Sequence, residues 1–213
     1  MIFHQIDAGG DRNFAYLIAD KEGGKAALFD PPPDSSRYAA LVAEHRLEVS
    51  FIILTHGHGD HTSGASRTRR VTRARVVAHP LNPVDAEIRV GDGDTLHLGA
   101  LTLRFIHTPG HTEDSMCILG GKKLVTGDTL FVGKVGGTDF GDGAREEYES
   151  LHEKLMTLDD DVEVYPGHDY GVKPSSTIGH ERRTNPFLLR DSLESFVELK
   201  KNWLQYKQEH GIA

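Results

Sequence analysis

Seven residues, Thr55 to His61, read T-H-G-H-G-D-H and place three imidazoles and one carboxylate (His56, His58, Asp60, His61) within six positions. That density of ligand-type side chains points to a metal ion. Neutral imidazole suits zinc, iron, nickel and copper, and carboxylate suits harder cations, so the mixed set favours zinc or iron over calcium or magnesium. Three more ligand-type residues stand singly downstream: His111 in Thr108-Pro-Gly-His-Thr112, Asp128 in Gly127-Asp-Thr129, and His168 in Pro166-Gly-His168.

The elements that must position these residues are strands that end where the ligands begin. Ser50-Phe-Ile-Ile-Leu-Thr55 is a short apolar, β-branched run that reads as a buried strand. Gly57 and Gly59 would allow a tight loop beyond it, turning His56 and His58 one way and Asp60 and His61 another. Upstream, residues 1–30 read as three short strands, the last ending at Asp30 before three prolines. Asp34 or Ser35 can cap a helix with Tyr38, Leu41, Val42 and His45 on one face. The result is a β-α-β unit with the histidine loop at its carboxyl end, where ligands bind in open α/β sheets. Downstream, a hairpin over 96–105 leads to His111, a strand over 123–126 leads to Asp128, and a strand over 162–165 leads to His168. A helix is expected near 144–158. A long one is expected over about 187–209, with Leu189, Phe196, Trp203 and Leu204 on its apolar stripe.

Length and composition fit this picture. The chain has 213 residues, 38% hydrophobic and 26% charged, with a formal charge of −8. The acidic balance argues against nucleic-acid binding. No run approaches the roughly 18 apolar residues that span a bilayer, and the first residues lack the basic and apolar regions of a signal peptide, so a cytoplasmic setting is expected. The single cysteine, Cys117, excludes an internal disulfide and lies in an apolar stretch as a core residue would. Arg67, Arg69, Arg70 and Arg73 read as a solvated basic face. One domain is expected over 1–185, with 186–213 as a C-terminal helix packed on it or meeting a second copy in a homodimer.

Taken together, T-H-G-H-G-D-H, His111, Asp128 and His168 resemble the ligand set of the metallo-β-lactamase superfamily. The resemblance covers most of the chain and implies an α/β (α+β) fold, a four-layer αββα sandwich with its metals at one edge. It implies that His56, His58 and His111 hold one metal, that Asp60, His61 and His168 hold a second, and that Asp128 bridges them. Two divalent ions about 3.5 Å apart can share a water and lower its pKa toward neutrality. A structural zinc site would need four closed ligands, often cysteines, so seven ligand-type residues without a ligand cysteine favour a dinuclear catalytic site. The expected cofactors are two divalent ions, zinc first, with iron or a mixed zinc and iron pair as alternatives.

Within the superfamily, His107-Thr-Pro-Gly-His-Thr112, Gly127-Asp-Thr-Leu-Phe131 and Tyr165-Pro-Gly-His-Asp-Tyr170 are similar to the glyoxalase II and persulfide dioxygenase branch. That resemblance implies a thioester hydrolase (a hydroxyacylglutathione hydrolase type) in which a metal-bridging hydroxide attacks the carbonyl and Asp60 helps orient it. The substrate would be a small-molecule thiol ester. Tyr170 would contact the thiol carrier. The branch usually places a basic residue where this chain has Gly137, so Lys134 would have to substitute, and Arg182 with the last helix would form a reduced C-terminal contact. The first alternative is a mononuclear Fe(II) persulfide dioxygenase using His56, His111 and Asp128. The second is a lactonase or phosphodiesterase on the same scaffold.

Overall fold

The central strands are apolar on both faces, so each sheet has to be covered twice. A computed structural model, which describes residues 1–212, shows how. The first sheet runs β1 (Ile2–Gly9), β2 (Asn13–Ala19), β3 (Lys25–Phe29), β4 (Glu48–Ile53), β5 (Arg75–Ala78) and β6 (Ile88–Arg89) in spatial order. β1 to β3 are antiparallel neighbours and β3 to β6 are parallel. Its crossovers carry α1 (Ser36–Glu44), the short α2 (Gly59–Thr62) and α3 (Ala65–Thr72). The second half begins with β7 (Thr95–Leu98), β8 (Leu101–His107), β9 (Met116–Gly120) and β10 (Lys123–Gly127). A small separate hairpin, β11 (Leu130–Phe131) and β12 (Lys134–Val135), precedes α4 (Asp142–Glu149). β13 (Glu163–Pro166) and β14 (Ser176–Thr177) complete the second sheet in the order β14-β13-β10-β9-β8-β7. α5 (Ile178–Thr184), α6 (Leu193–Lys201) and α7 (Trp203–His210) follow.

The period-two alternation of β2 shows the layering. Ala15, Leu17 and Ala19 face the outer helices with Tyr38, Ile52 and Val76. Tyr16 and Ile18 point the other way, into a layer between the sheets shared with Phe29, Phe51, Phe105 and Ile118. On the far side of the second sheet Cys117, Leu124 and Val164 meet Leu151, Leu155, Phe196 and Leu199 from the helices. The order is helix, sheet, sheet, helix, the expected αββα sandwich. Each large side chain buried in these layers contributes roughly 1.5–3 kcal/mol.

Two helices depart from the sequence expectation. The helix expected over 144–158 is α-helical only to Glu149, then widens into a π turn over Ser150–Lys154 and tightens over Leu155–Thr157. Side-chain ties to the neighbouring loop coincide with the change: Ser150 Oγ donates to the Pro109 carbonyl over 2.8 Å and Lys154 Nζ to that of His107 over 2.6 Å. The long C-terminal helix starts only at Leu193, where the Ser192 hydroxyl caps it, and is interrupted at Asn202. Residues before it are held in a turn, with Phe187 buried in the outer core, so Leu189 is exposed. Beyond the break Leu204 is exposed too. No helix is long and apolar enough to cross a membrane among the described residues.

Candidate metal centre

Strand ends deliver the ligands to one sheet edge. β4 leads into His56, β8 into the loop bearing His111, β10 into Asp128 and β13 into His168. The β1–β2 turn crosses the same edge, where Asn13 bridges to His168. Gly127 has φ +47° and no room for a Cβ, which would strike the Thr55 side chain, so the backbone can deliver Asp128 only with glycine there. Neither Gly57 nor Gly59 adopts a left-handed conformation. Gly57 is required for space, since a Cβ would press on Pro83 and Asp114, and Gly59 opens α2 with free space around it.

Two donor clusters result. In the first, His58 Nδ1 lies 3.1 Å from His56 Nε2 and 3.0 Å from His111 Nε2. In the second, His61 Nε2 and His168 Nε2 are 3.1 Å apart, and Asp60 Oδ2 is 3.5 Å from the former and 3.4 Å from the latter. Asp128 stands between them, with Oδ1 3.4 Å from His61 Nε2 and Oδ2 3.3 Å from His168 Nε2 and 3.6 Å from His111 Nε2. A tetrahedral ion with nitrogen ligands at about 2.0–2.1 Å holds those nitrogens roughly 3.3 Å apart, close to what both clusters show.

The outer hydrogen bonds fix which nitrogen faces inward. His61 Nδ1–H donates to Asp30 Oδ2 over 2.9 Å, His111 Nδ1–H to the Gly137 carbonyl over 2.7 Å, and His168 Nδ1–H to the Asp11 carbonyl over 2.8 Å. The Thr55 hydroxyl donates to Asp30 Oδ2 over 2.6 Å, which leaves its oxygen to accept from His56 Nδ1–H at 3.1 Å. A carbonyl or carboxylate cannot donate, so these four rings keep a proton on Nδ1 and, in their neutral form, turn a lone pair inward on Nε2. Converging lone pairs, with the buried Asp128 Oδ1 lacking any hydrogen-bond partner, are a donor set that a divalent cation satisfies. The residues present fit a metal.

Electrostatics follow from the same contacts. Burial, reinforced by the neighbouring His61, holds His56 well below the usual imidazole range, and burial lowers His111 as well. Burial would also lower His61, but its bond to Asp30 and the charges of Asp30, Asp128 and Asp60 outweigh that and raise it to about 9. Burial pushes Asp128 upward, and the His168 bond with the surrounding imidazoles overcomes it, leaving the carboxyl well below its ordinary value.

All seven expected ligands therefore meet at one edge. Lys134 and Tyr170 come together beside them: the ammonium lies 4.7 Å from the centre of the Tyr170 ring, and that ring stacks on His168 at 4.6 Å. Arg182 does not join them. Its guanidinium is engaged by Asp160 and by the carbonyls of Met156 and Leu158, which tie α5 to the turn before β13. Cys117 is fully buried and its thiol is pushed up to about 11 by that burial, which removes it as a nucleophile. Two participants were not recognised in the sequence. Asp30 supports His56 through Thr55 and His61 directly, and Asn13 donates Nδ2–H to Asp60 Oδ2 over 2.9 Å. The signal for Asp30 was its place at a strand end, as for Asp128. Asn13 carried none.

The chain is similar to known proteins in sequence and fold. Human persulfide dioxygenase ETHE1 is 36% identical over 89% of this chain and 76% of its own length. Hydroxyacylglutathione hydrolase of Anaeromyxobacter dehalogenans is 34% identical over 90% of this chain and 87% of its own length. The crystal structure of ETHE1 from Myxococcus xanthus superposes with a TM-score of 0.87 at 38% identity, covering 95% of this chain and 91% of that one. The metallo-β-lactamase superfamily profile matches residues 8–168, which include every one of the seven expected ligands, and the chain belongs to that superfamily.

Proposed function

We propose that the protein is a metal-dependent thioester hydrolase acting on a small S-acyl thiol. The observation that carries this reading is that His58 and Asp60, which a two-histidine, one-carboxylate iron site does not use, are both turned into the donor clusters, with Asp128 between them. When bound there, two divalent ions supply a water of lowered pKa and polarise the thioester carbonyl. The chain's own residues do the rest. Asp60 is half exposed, its Oδ2 is held by Asn13, and it is placed to accept a hydrogen bond from the attacking water and fix its direction. The leaving thiolate has a low pKa and needs no strong acid. Lys134 and Tyr170 line the approach and contact the thiol carrier. A cavity of about 230 Å³ next to them, walled by Phe140, Phe187 and Trp203 and open above Gly137, has room for part of it.

A second reading, Fe(II) persulfide dioxygenase chemistry at His56, His111 and Asp128, is favoured by the likeness to the two ETHE1 proteins. The discriminating experiment compares two samples: zinc-loaded protein on a panel of S-acyl thiols, and iron-loaded protein given glutathione persulfide in an oxygen electrode. Thioester turnover with zinc and no oxygen uptake with iron is expected. Rapid oxygen uptake with little thioester turnover overturns the hydrolase in favour of the dioxygenase. Turnover confined to lactones or phosphodiesters overturns both.

A further inference from the structure

Behind the first donor cluster lies a charged pair that the chemistry above does not use. Glu147 on α4 is completely buried, and the charge it faces is Lys200 on α6, whose side chain is only 6% exposed. The two are in direct contact. Lys200 Nζ also donates to the Gly136 carbonyl over 2.7 Å. One peptide unit further on, the Gly137 carbonyl accepts the Nδ1–H of His111 over 2.7 Å. Glu147 meets the same loop from the other side. A Cβ on Gly136 would strike Glu147 Oε1, the Asp128 carbonyl and His111 Cβ, and one on Gly110 would strike the Glu147 backbone. Gly110 has φ +140°, which only glycine adopts readily. Gly110 is therefore packed against the Glu147 backbone, and Gly136 against the Asp128 carbonyl and the Glu147 carboxylate.

A buried ion pair is a weak source of stability, since well-packed apolar residues of similar size often do as well, so its presence here calls for a positional reason. We propose that Glu147 and Lys200 are positioning residues for His111. Together they clamp the Gly136–Gly137 peptide from the side away from the metals. The C-terminal helix thereby sets how tightly the His56, His58 and His111 cluster holds its ion. The proposal rests on the reading of these histidines as metal ligands. It assigns the segment after residue 186 a role in the metal centre without contact with it.

The test uses the full chain and zinc alone, with affinities read by competition against a chromophoric chelator. The main variant, Glu147→Leu with Lys200→Met, removes both charges together and leaves no unpaired buried charge, so the fold is kept. Its zinc affinity at one class of site is expected to fall by about 10- to 100-fold, the usual effect of losing an outer-shell partner, with the other class unchanged. Lys200→Arg alone, which keeps the charge opposite Glu147 and a donor, should retain most of the parent's affinity. In a His111→Ala background the double substitution should have no further effect on the remaining site, because the two changes act through the same ligand. Equal weakening of both classes, an undiminished effect in the His111→Ala background, or unchanged affinity alongside a lower melting temperature would each overturn the clamp. Failure of the metal reading itself gives a different result: the parent protein then shows no zinc binding that His56→Ala or His111→Ala reduces.

Discussion

Asp30 Oδ2 accepts the Nδ1–H of His61 over 2.9 Å inside the sheet edge, and both side chains are almost sealed from solvent, at 3% and 1% exposure. The same carboxylate takes the backbone N–H and the hydroxyl of Thr55, so one residue at the end of β3 orients a histidine in each donor cluster. Asp30→Ala should therefore weaken both clusters, by about 10- to 100-fold in zinc affinity. It should also cost roughly 1–3 kcal/mol of stability, because buried donors are left unsatisfied. Chelator competition and urea denaturation check the two effects separately. An unchanged zinc affinity would exclude the orienting role.

Metal uptake should expel a proton. With its pKa raised to about 9, His61 is protonated near neutral pH when no metal is bound, and His168, 3.1 Å away, is raised as well. His56, His111 and Asp128 are shifted downward and bring no proton. Zinc binding at about pH 7.5 should then release at least one proton, and the number should decline as the starting pH passes about 9. Calorimetry in buffers of different ionisation enthalpy measures it. A release that rises with pH has the wrong sign.

Lys134 and Arg182 should part company on mutation. Lys134 has its ammonium against the Tyr170 ring beside the ligands, and burial, reinforced by nearby Lys207, lowers its pKa. Lys134→Gln is expected to raise KM about tenfold for S-acyl thiols whose carrier bears a carboxylate, with kcat nearly unchanged, as for loss of uniform binding. Arg182→Gln should leave both constants alone and lower stability by about 1 kcal/mol, since its bonds tie α5 to the preceding turn. Steady-state kinetics with thermal melts tests the pair of expectations, and a KM effect from Arg182→Gln would contradict its placement.

Cys117 should be silent in the native protein. With a pKa of about 11 and no exposure, it is thiolate to roughly one part in a thousand near pH 8 and has no path to reagent. Ellman's reagent should report no thiol in native protein and one after denaturation, and Cys117→Ala should keep full activity. Rapid labelling of the native protein at that pH would show that the outer core opens readily.

Of this site, local sequence disclosed the ligands and hid their supports. His56, His58, Asp60, His61, His111, Asp128 and His168 are legible because metal chemistry demands particular side-chain types, and each stands just beyond an apolar strand-like run whose end the backbone rules mark. The same rules made most strands of both sheets legible, because apolar runs and alternation are local properties, but not the two-residue β14, whose pairing with β13 is a tertiary contact. The interruption at Asn202 and the π turn after Glu149 were not legible, since neither is set by the local apolar stripe, and tertiary ties coincide with the π turn.

The sequence alone determined the donor set, the chemistry it admits and the superfamily. Tertiary structure alone decided which groups hold those donors: Asp30 for His61, the Asp11 and Gly137 carbonyls for His168 and His111, and Asn13 for Asp60, with the Glu147–Lys200 pair placed behind the loop that meets His111. It also sent Arg182 away from the site and brought Lys134 to Tyr170. The reason is physical. A metal ligand must be one of a few residue types, whereas a hydrogen-bond acceptor can be any carbonyl or carboxylate that the fold carries to within about 3 Å, however distant it is along the chain.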